Sequence, residues 1–235
     1  MSVKPTVGMI GLGNLGNPMA VSLLNSGYKA VVHSLSRDEA TNLLALGATW
    51  SESPAEVGRL LDILITVLPT PHHVREIMIG HGGALHQMKR GSTFIDMSTS
   101  SVEVADEIIA VAAPRGVAVL DAPVSFLAKA PIGGSRSSAA LQIFVGASTE
   151  QYEQHLPLFR ALGGKPEQIY HAGPSGSGYG IKVLLNFTAV PCNNTGQSLA
   201  RCLSSSSTKT PSANRSETPS RSVRGFVLRV QVFAG

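Results

Sequence analysis

The sequence predicts an α/β fold built on a doubly wound, mostly parallel sheet with helices on both faces. Three observations carry this prediction. Apolar runs of strand length alternate with helix-patterned stretches from residue 7 to residue 162. The links between them are short, so strand and helix follow each other as in crossover units, which should be right-handed. Runs such as Ile63-Leu64-Ile65 are apolar throughout rather than alternating, which marks strands buried on both faces.

Each element follows in order. Val7 to Ile10 is the first strand, followed by a glycine-rich turn and a helix over Asn17 to Ser26. Ala30 to His33 is the second strand. Asp38 to Leu46 is helical, and Ala48-Thr49-Trp50 is a short third strand. Ser53-Pro54-Ala55-Glu56 has the order of a helix start: cap, proline, then an acid in the first turn. Asp62 to Leu68 is a buried strand that Pro69 ends. Pro71 to Ile79 is a helix and Thr93 to Met97 a strand. A helix runs from Ser101 to Ala113. Val117 to Asp121 and Leu141 to Val145 are further strands, and Glu150 to Leu162 is a helix.

Composition narrows the class. A chain of 235 residues, 43% hydrophobic, can bury a core without disulfide staples. Its two cysteines exclude a disulfide-rich scaffold and a multi-cysteine metal site. The scattered histidines have no metal-ligand spacing, so no metal is expected. No apolar run reaches the ~20 residues of a membrane-spanning helix. The N-terminus shows no targeting signal, which makes the cytoplasm the expected compartment. The net charge of +4 suggests nucleic acid at first sight, but its distribution argues otherwise. Residues 1–190 hold 13 Lys+Arg against 14 Asp+Glu, and residues 191–235 hold 6 against one. The basic character belongs to the tail. That tail is rich in Ser, Thr, Pro and Arg, carries both cysteines, and is expected to be disordered.

The sharpest motif is Gly11-Leu12-Gly13-Asn14-Leu15-Gly16. It follows a predicted strand and opens a predicted helix, the context that makes G-x-G-x-x-G a dinucleotide-binding signature of a Rossmann-type domain. Gly11 allows the tight turn, Gly13 lets a pyrophosphate approach the backbone, and Gly16 permits close helix–strand packing. An acid about 20 positions into the unit would bind the ribose of NAD. Here Ser34, Ser36 and Arg37 follow the second strand, and no carboxylate appears before Asp38. Two hydroxyls and an Arg suit a 2′-phosphate, so NADP is favoured over NAD as the cofactor.

The stretch Gly8 to Ala20 resembles the opening of the β-hydroxyacid dehydrogenases. That family includes 3-hydroxyisobutyrate dehydrogenase and, more distantly, 6-phosphogluconate dehydrogenase. Four later segments are similar in order and spacing: Val67-Leu68-Pro69; Asp96-Met97-Ser98-Thr99; Asp121-Ala122-Pro123-Val124-Ser125; and Gly173 to Gly178 followed by Lys182 and Asn186. The resemblance covers residues 5–188. It implies hydride transfer between a nicotinamide and a small β-hydroxyacid or its semialdehyde. It implies Lys182 as the proton-transfer group, Asn186 as a substrate ligand on the same helix face, and Ser125 as a hydrogen-bond partner of the substrate carboxylate. It places Leu68, Pro69 and Thr99 beside the cofactor. His73, just after Pro69, is a further cofactor-facing candidate, although most residues so placed are surface helix residues.

Two departures qualify the resemblance. Phe126-Leu127 stand where the family continues with two glycines, and Gly133-Gly134 come only later. Leu185 stands where the family often has an Asn. The family's long helix and all-helical second domain, which closes the site and builds the homo-oligomer, would be reduced to a stub. The expected organisation is therefore 1–165 as the NAD(P)-binding domain, 166–190 as linker and start of the catalytic interdomain helix, and 191–235 as low-complexity tail. A truncated or mis-spliced product is the implied origin. A catalytically impaired NADP-binding remnant is the alternative to an active oxidoreductase. Neither reading involves nucleic acid or a membrane.

Overall fold

The computed structural model describes residues 4–59, 61–126 and 141–189. Expectations that fall on Leu127, Gly133, Gly134 or residues 191–235 lie outside the described residues.

Among the described residues nine strands form one sheet. Six of them are parallel: β1 (Thr6–Ile10), β2 (Lys29–His33), β3 (Thr49–Trp50), β4 (Ile63–Thr66), β5 (Thr93–Asp96) and β6 (Ala118–Asp121). Their spatial order is β3-β2-β1-β4-β5-β6. The chain therefore winds outward in one direction to β3 and then in the other from β4, and the order reverses at β1. Beyond β6 lie β7 (Val124–Phe126) and β8 (Leu141–Gly146), with β8 antiparallel to both β6 and β7. The strand β9 (Gly164–Gly173) runs parallel to β8.

The strands are apolar on both faces, and period 2 divides their side chains between two cores. Val7, Met9, Val32, Ile65 and Ile95 face one core, with Met19 and Leu23 of α1 (Gly16–Asn25), Leu43 of α2 (Thr41–Ala45), and Leu158 and Phe159 of α6 (Thr149–Ala161). Ile10, Val31, Leu64 and Phe94 face the other. There they meet Val57 of α3 (Pro54–Arg59), Val74 and Met78 of α4 (Pro71–Ile79), and Ile108 of α5 (Val102–Ala112). Helix starts are set by local side chains. Thr70 Oγ1 accepts the His73 N–H at 3.3 Å and Ser101 Oγ the Val104 N–H at 3.4 Å. Ser148 and Gln151 form a capping box at the start of α6. No helix of the described residues is long and apolar enough to cross a membrane.

The structure departs from expectation in three places, the first being the short strand β7, which the sequence does not predict between β6 and β8. The helix expected over 38–46 divides into a 3₁₀ turn, Arg37–Ala40, and α2, because Ser36 Oγ accepts the Asp38 N–H and tightens the entry. The sheet also runs on past residue 165 through β9. That strand has no apolar run to betray it, since it pairs with β8 alone and buries only Gly164 and Ile169. The final helix, α7 (Ser177–Ala189), follows β9 after a three-residue link.

Candidate dinucleotide site and the helix beside it

All six parallel strands end at one edge. The register pairs Ile10 with His33 and Thr66, Thr66 with Asp96, and Asp96 with Asp121. The loops after these strands therefore meet there: the glycine turn, Ser34, Val67-Leu68-Pro69, Met97-Ser98-Thr99 and Ala122-Pro123. In open α/β sheets ligands bind in the crevice at this edge, where strand order reverses.

The glycine turn is shaped by its neighbours. Gly11 has φ +96°, and a Cβ there would overlap the Val67 carbonyl oxygen. A Cβ on Gly16 would overlap the Gly11 carbonyl oxygen, so α1 can start this close to β1 only with glycine. Gly13 differs, because a Cβ there would meet nothing within 4 Å. Its open side is the approach to the backbone. α1 has no side-chain cap and no acid in its first turn. Among the described residues none accepts the N–H groups of Gly13, Asn14, Leu15 or Gly16. The first two N–H groups of the turn are taken: Gly11 donates to the His33 carbonyl oxygen at 3.0 Å and Leu12 to Ser34 Oγ at 3.2 Å. An uncapped helix N-terminus with converging free donors is an anion cradle.

At the end of β2 the Ser34 hydroxyl also donates to the Glu39 carboxylate. Arg37 is exposed and sits 3.8 Å from the Glu52 carboxylate. Sequence reasoning passed over Glu39 because it lies five residues beyond Ser34. The 3₁₀ turn is what returns its side chain to the strand end. Leu68 N–H donates to Ser98 Oγ at 2.9 Å, which ties the loops after β4 and β5 together. Pro69 and Thr99 are exposed at the same edge. His73 is exposed on the first turn of α4, with its ring nitrogen Nδ1 2.6 Å from Thr70 Oγ1.

The start of α7 is built in the opposite way from that of α1. Asp121, 1% exposed, accepts the Gly176 N–H at 2.6 Å and the Tyr179 N–H at 3.0 Å. Asp96, also 1% exposed, accepts from Thr66 Oγ1 at 2.8 Å, the Ser98 N–H at 3.0 Å and the Tyr179 hydroxyl at 2.6 Å. Burial raises both carboxyls above the ordinary aspartate range, against the pull of these donors. Burial, followed by the Asp96 charge, pushes the Tyr179 phenol well above its usual value, so it stays protonated and donates. Lys182 is half-buried one turn further along, and burial lowers its ammonium below the ordinary lysine range. Asn186 is exposed on the next turn. Ser125 lies mid-way along β7, opposite Gln142. Among the described residues no hydrogen bond joins Ser125, Lys182 and Asn186 to one another, and no group of three His, Cys, Asp or Glu side chains could hold a metal ion.

Comparison with known proteins agrees with this geometry. The chain is 36% identical over 190 residues to an NAD-dependent L-serine dehydrogenase of Pseudomonas aeruginosa, covering 80% of this chain and 58% of that protein. It is 32% identical over 194 residues to the mitochondrial 3-hydroxyisobutyrate dehydrogenase of Mus musculus, covering 83% and 53%. The chain thus spans little more than half the length of these relatives. A solved 3-hydroxyisobutyrate dehydrogenase of Mycobacterium tuberculosis, with L-serine, superposes with a TM-score of 0.67 at 28% identity, covering 88% of this chain and 72% of that one. The sequence pattern of the NAD binding domain of 6-phosphogluconate dehydrogenase matches residues 6–173. With the glycine turn, the strand order and that match in agreement, the chain belongs to the family of the NAD binding domain of 6-phosphogluconate dehydrogenase.

Proposed function

We propose that the chain is an NAD-dependent oxidoreductase of the 3-hydroxyisobutyrate dehydrogenase type, acting on a small β-hydroxyacid or its semialdehyde. The observation that carries the reading is the open start of α1 at the carboxyl edge of the sheet: free N–H donors, a positive helix end, and no side chain on Gly13 to bar a pyrophosphate. Leu12, Asn14 and Leu15 contribute backbone to the same cradle. Leu68, Pro69, His73 and Thr99 would line the way from there to the reacting carbon.

A bound nicotinamide supplies the hydride acceptor or donor. The alcohol proton needs a separate destination, and Lys182 Nζ is the group for it. Half-burial lowers the Lys182 ammonium, which makes the neutral amine more accessible than on a solvated lysine. In oxidation the amine takes the hydroxyl proton, and in reduction the ammonium returns it. Asn186, four residues on, presents its amide from the same helix face, and Ser125 would hydrogen-bond the substrate carboxylate. Homo-oligomerisation, as in the family at large, belongs to the same reading.

NAD is preferred over NADP. The Arg37 guanidinium, which favours a 2′-phosphate in the sequence, stands beside Glu52. The Glu39 carboxylate instead reaches the Ser34 hydroxyl at the strand end. A carboxylate there accepts hydrogen bonds from ribose hydroxyls and repels a phosphate. The test is calorimetric titration of the chain with NADH and NADPH, followed by an absorbance assay with small β-semialdehyde acids. NADH should bind at least about tenfold more tightly, and Glu39→Gln should shrink that preference. Tighter NADPH binding would return the choice to Arg37. Cofactor binding without turnover would leave a dinucleotide-binding chain and refute the oxidoreductase reading. Binding of neither would refute both.

A further inference from the structure

The glycine-rich run before α7 and the buried pair Asp96 and Asp121 remain unexplained by cofactor or substrate contacts. We propose that Asp121, Asp96 and Tyr179 form a two-point clasp that positions Lys182, with Asp121 setting where α7 begins and Asp96, through the Tyr179 hydroxyl, setting how the helix is turned about its axis.

The first point is axial. Asp121 ends β6 and receives the N–H groups of Gly176 and Tyr179. Ser175 Oγ adds a longer contact at 3.4 Å. Glycines make this possible. Gly176 has φ +91° in the turn. A Cβ on Gly178 would overlap the Phe144 carbonyl oxygen and stand 2.7 Å from Asp121 Oδ2. A Cβ on Gly146 would overlap the carboxylate itself. The run is therefore a seat for an internal anion, the same chemistry a helix N-terminus offers to a phosphate, already satisfied by the protein.

The second point is rotational. The Tyr179 hydroxyl donates to Asp96 Oδ2, 83 residues away in sequence and on the neighbouring strand to Asp121. A side chain fixed at its tip adds an off-axis point of attachment that the backbone bonds to Asp121 do not supply. Lys182 lies three residues and Asn186 seven residues after Tyr179, within about 60° of one another around the helix. Exposure rises along that face, from Tyr179 at 3% through half-buried Lys182 to exposed Asn186. Asp96 also receives Ser98 N–H, whose own hydroxyl accepts Leu68 N–H. The clasp thus refers the lysine helix directly to the loops beside the proposed cofactor. These three are positioning residues, since none needs to touch substrate.

The inference rests on the oxidoreductase reading only in its turnover arm. Tyr179→Phe keeps the ring and removes the hydroxyl. In that variant kcat should fall about tenfold to a hundredfold with KM for cofactor little changed, because misplacement and not binding is at fault. NADH affinity, set at α1, should stay within about twofold. A second readout needs no turnover. Reductive ¹³C-methylation of the full chain gives lysine resonances, with Lys182 assigned by its absence in Lys182→Arg. In the parent the Lys182 signal should titrate at lower pH than the others, and in Tyr179→Phe it should move at least about threefold in acid constant towards them. Absence of turnover in the parent would refute the oxidoreductase reading and leave this arm to decide the clasp. An unmoved Lys182 titration in Tyr179→Phe, or a loss of NADH affinity equal to the loss of kcat, would overturn the clasp. Should Tyr179→Phe fail to fold, Asp121→Asn carries the same measurement. Failure of both to fold would also overturn it, because the network would then serve overall stability alone.

Discussion

Two helices in this protein start from glycine-rich turns at the same edge of the sheet, and their N-termini are finished in opposite ways. The start of α1 has no side-chain cap, no acid in its first turn and an open side at Gly13. The start of α7 is closed over a buried aspartate that takes its free N–H groups. Both turns solve the same problem, that of orphan donors at a helix end. One leaves the solution to a ligand, and the other supplies it from β6. Glycine content alone does not distinguish a ligand cradle from an internal joint. What distinguishes them is whether a strand end nearby delivers a carboxylate.

The comparison can be broken by adding single methyl groups. Gly16→Ala should have the largest effect, since its Cβ overlaps the Gly11 carbonyl oxygen. Overpacking of this kind costs about 1–3 kcal/mol, visible in urea unfolding, and dinucleotide binding should be lost with it. Gly13→Ala should separate the two properties. Nothing lies within 4 Å of its Cβ, so unfolding should stay within about 0.5 kcal/mol of the parent. NADH affinity should still fall about tenfold or more by calorimetry, because the methyl stands where the pyrophosphate approaches. Unchanged affinity would remove the cradle from α1.

The smallest effect sharpens the α7 side. Burial raises the Asp96 and Asp121 carboxyls, so between the ordinary aspartate range and those raised values the native chain holds protons that the unfolded chain has lost. Stability contributed by these groups is therefore fully present below about pH 4 and is lost as pH rises through the raised values. Asp96→Asn should flatten that slope, by at most about 1.4 kcal/mol per pH unit for one proton. Urea unfolding at a series of pH values would show it. An unchanged slope would mean that the Asp96 carboxyl is not raised.

Much of this was legible in sequence. Asp62 to Leu68, Thr93 to Met97 and the helix Pro71 to Ile79 are strongly apolar or cleanly bounded, and the structure places all three within a residue or two of expectation. The G-x-G-x-x-G turn was readable because its demands are local: a positive φ at Gly11 and a close carbonyl at Gly16. β7 and β9 were not readable, since neither buries a run of its own and each exists because β8 offers an edge. Glu39 and Tyr179 were missed for a related reason. The partner of the first lies five residues back across a 3₁₀ turn, and that of the second 83 residues away.

By itself, then, the sequence determined the alternation of strand and helix, the glycine turn that begins α1, and the family to which the chain belongs. These follow from periodicity and from backbone constraints that act over a few residues. Only the tertiary structure decided which glycine turn is open and which is filled, and which carboxylates are buried. Both depend on strand register, which sets Asp96 beside Asp121 and brings both under α7. Register is settled by the packing of the whole sheet, and no local window of residues contains it.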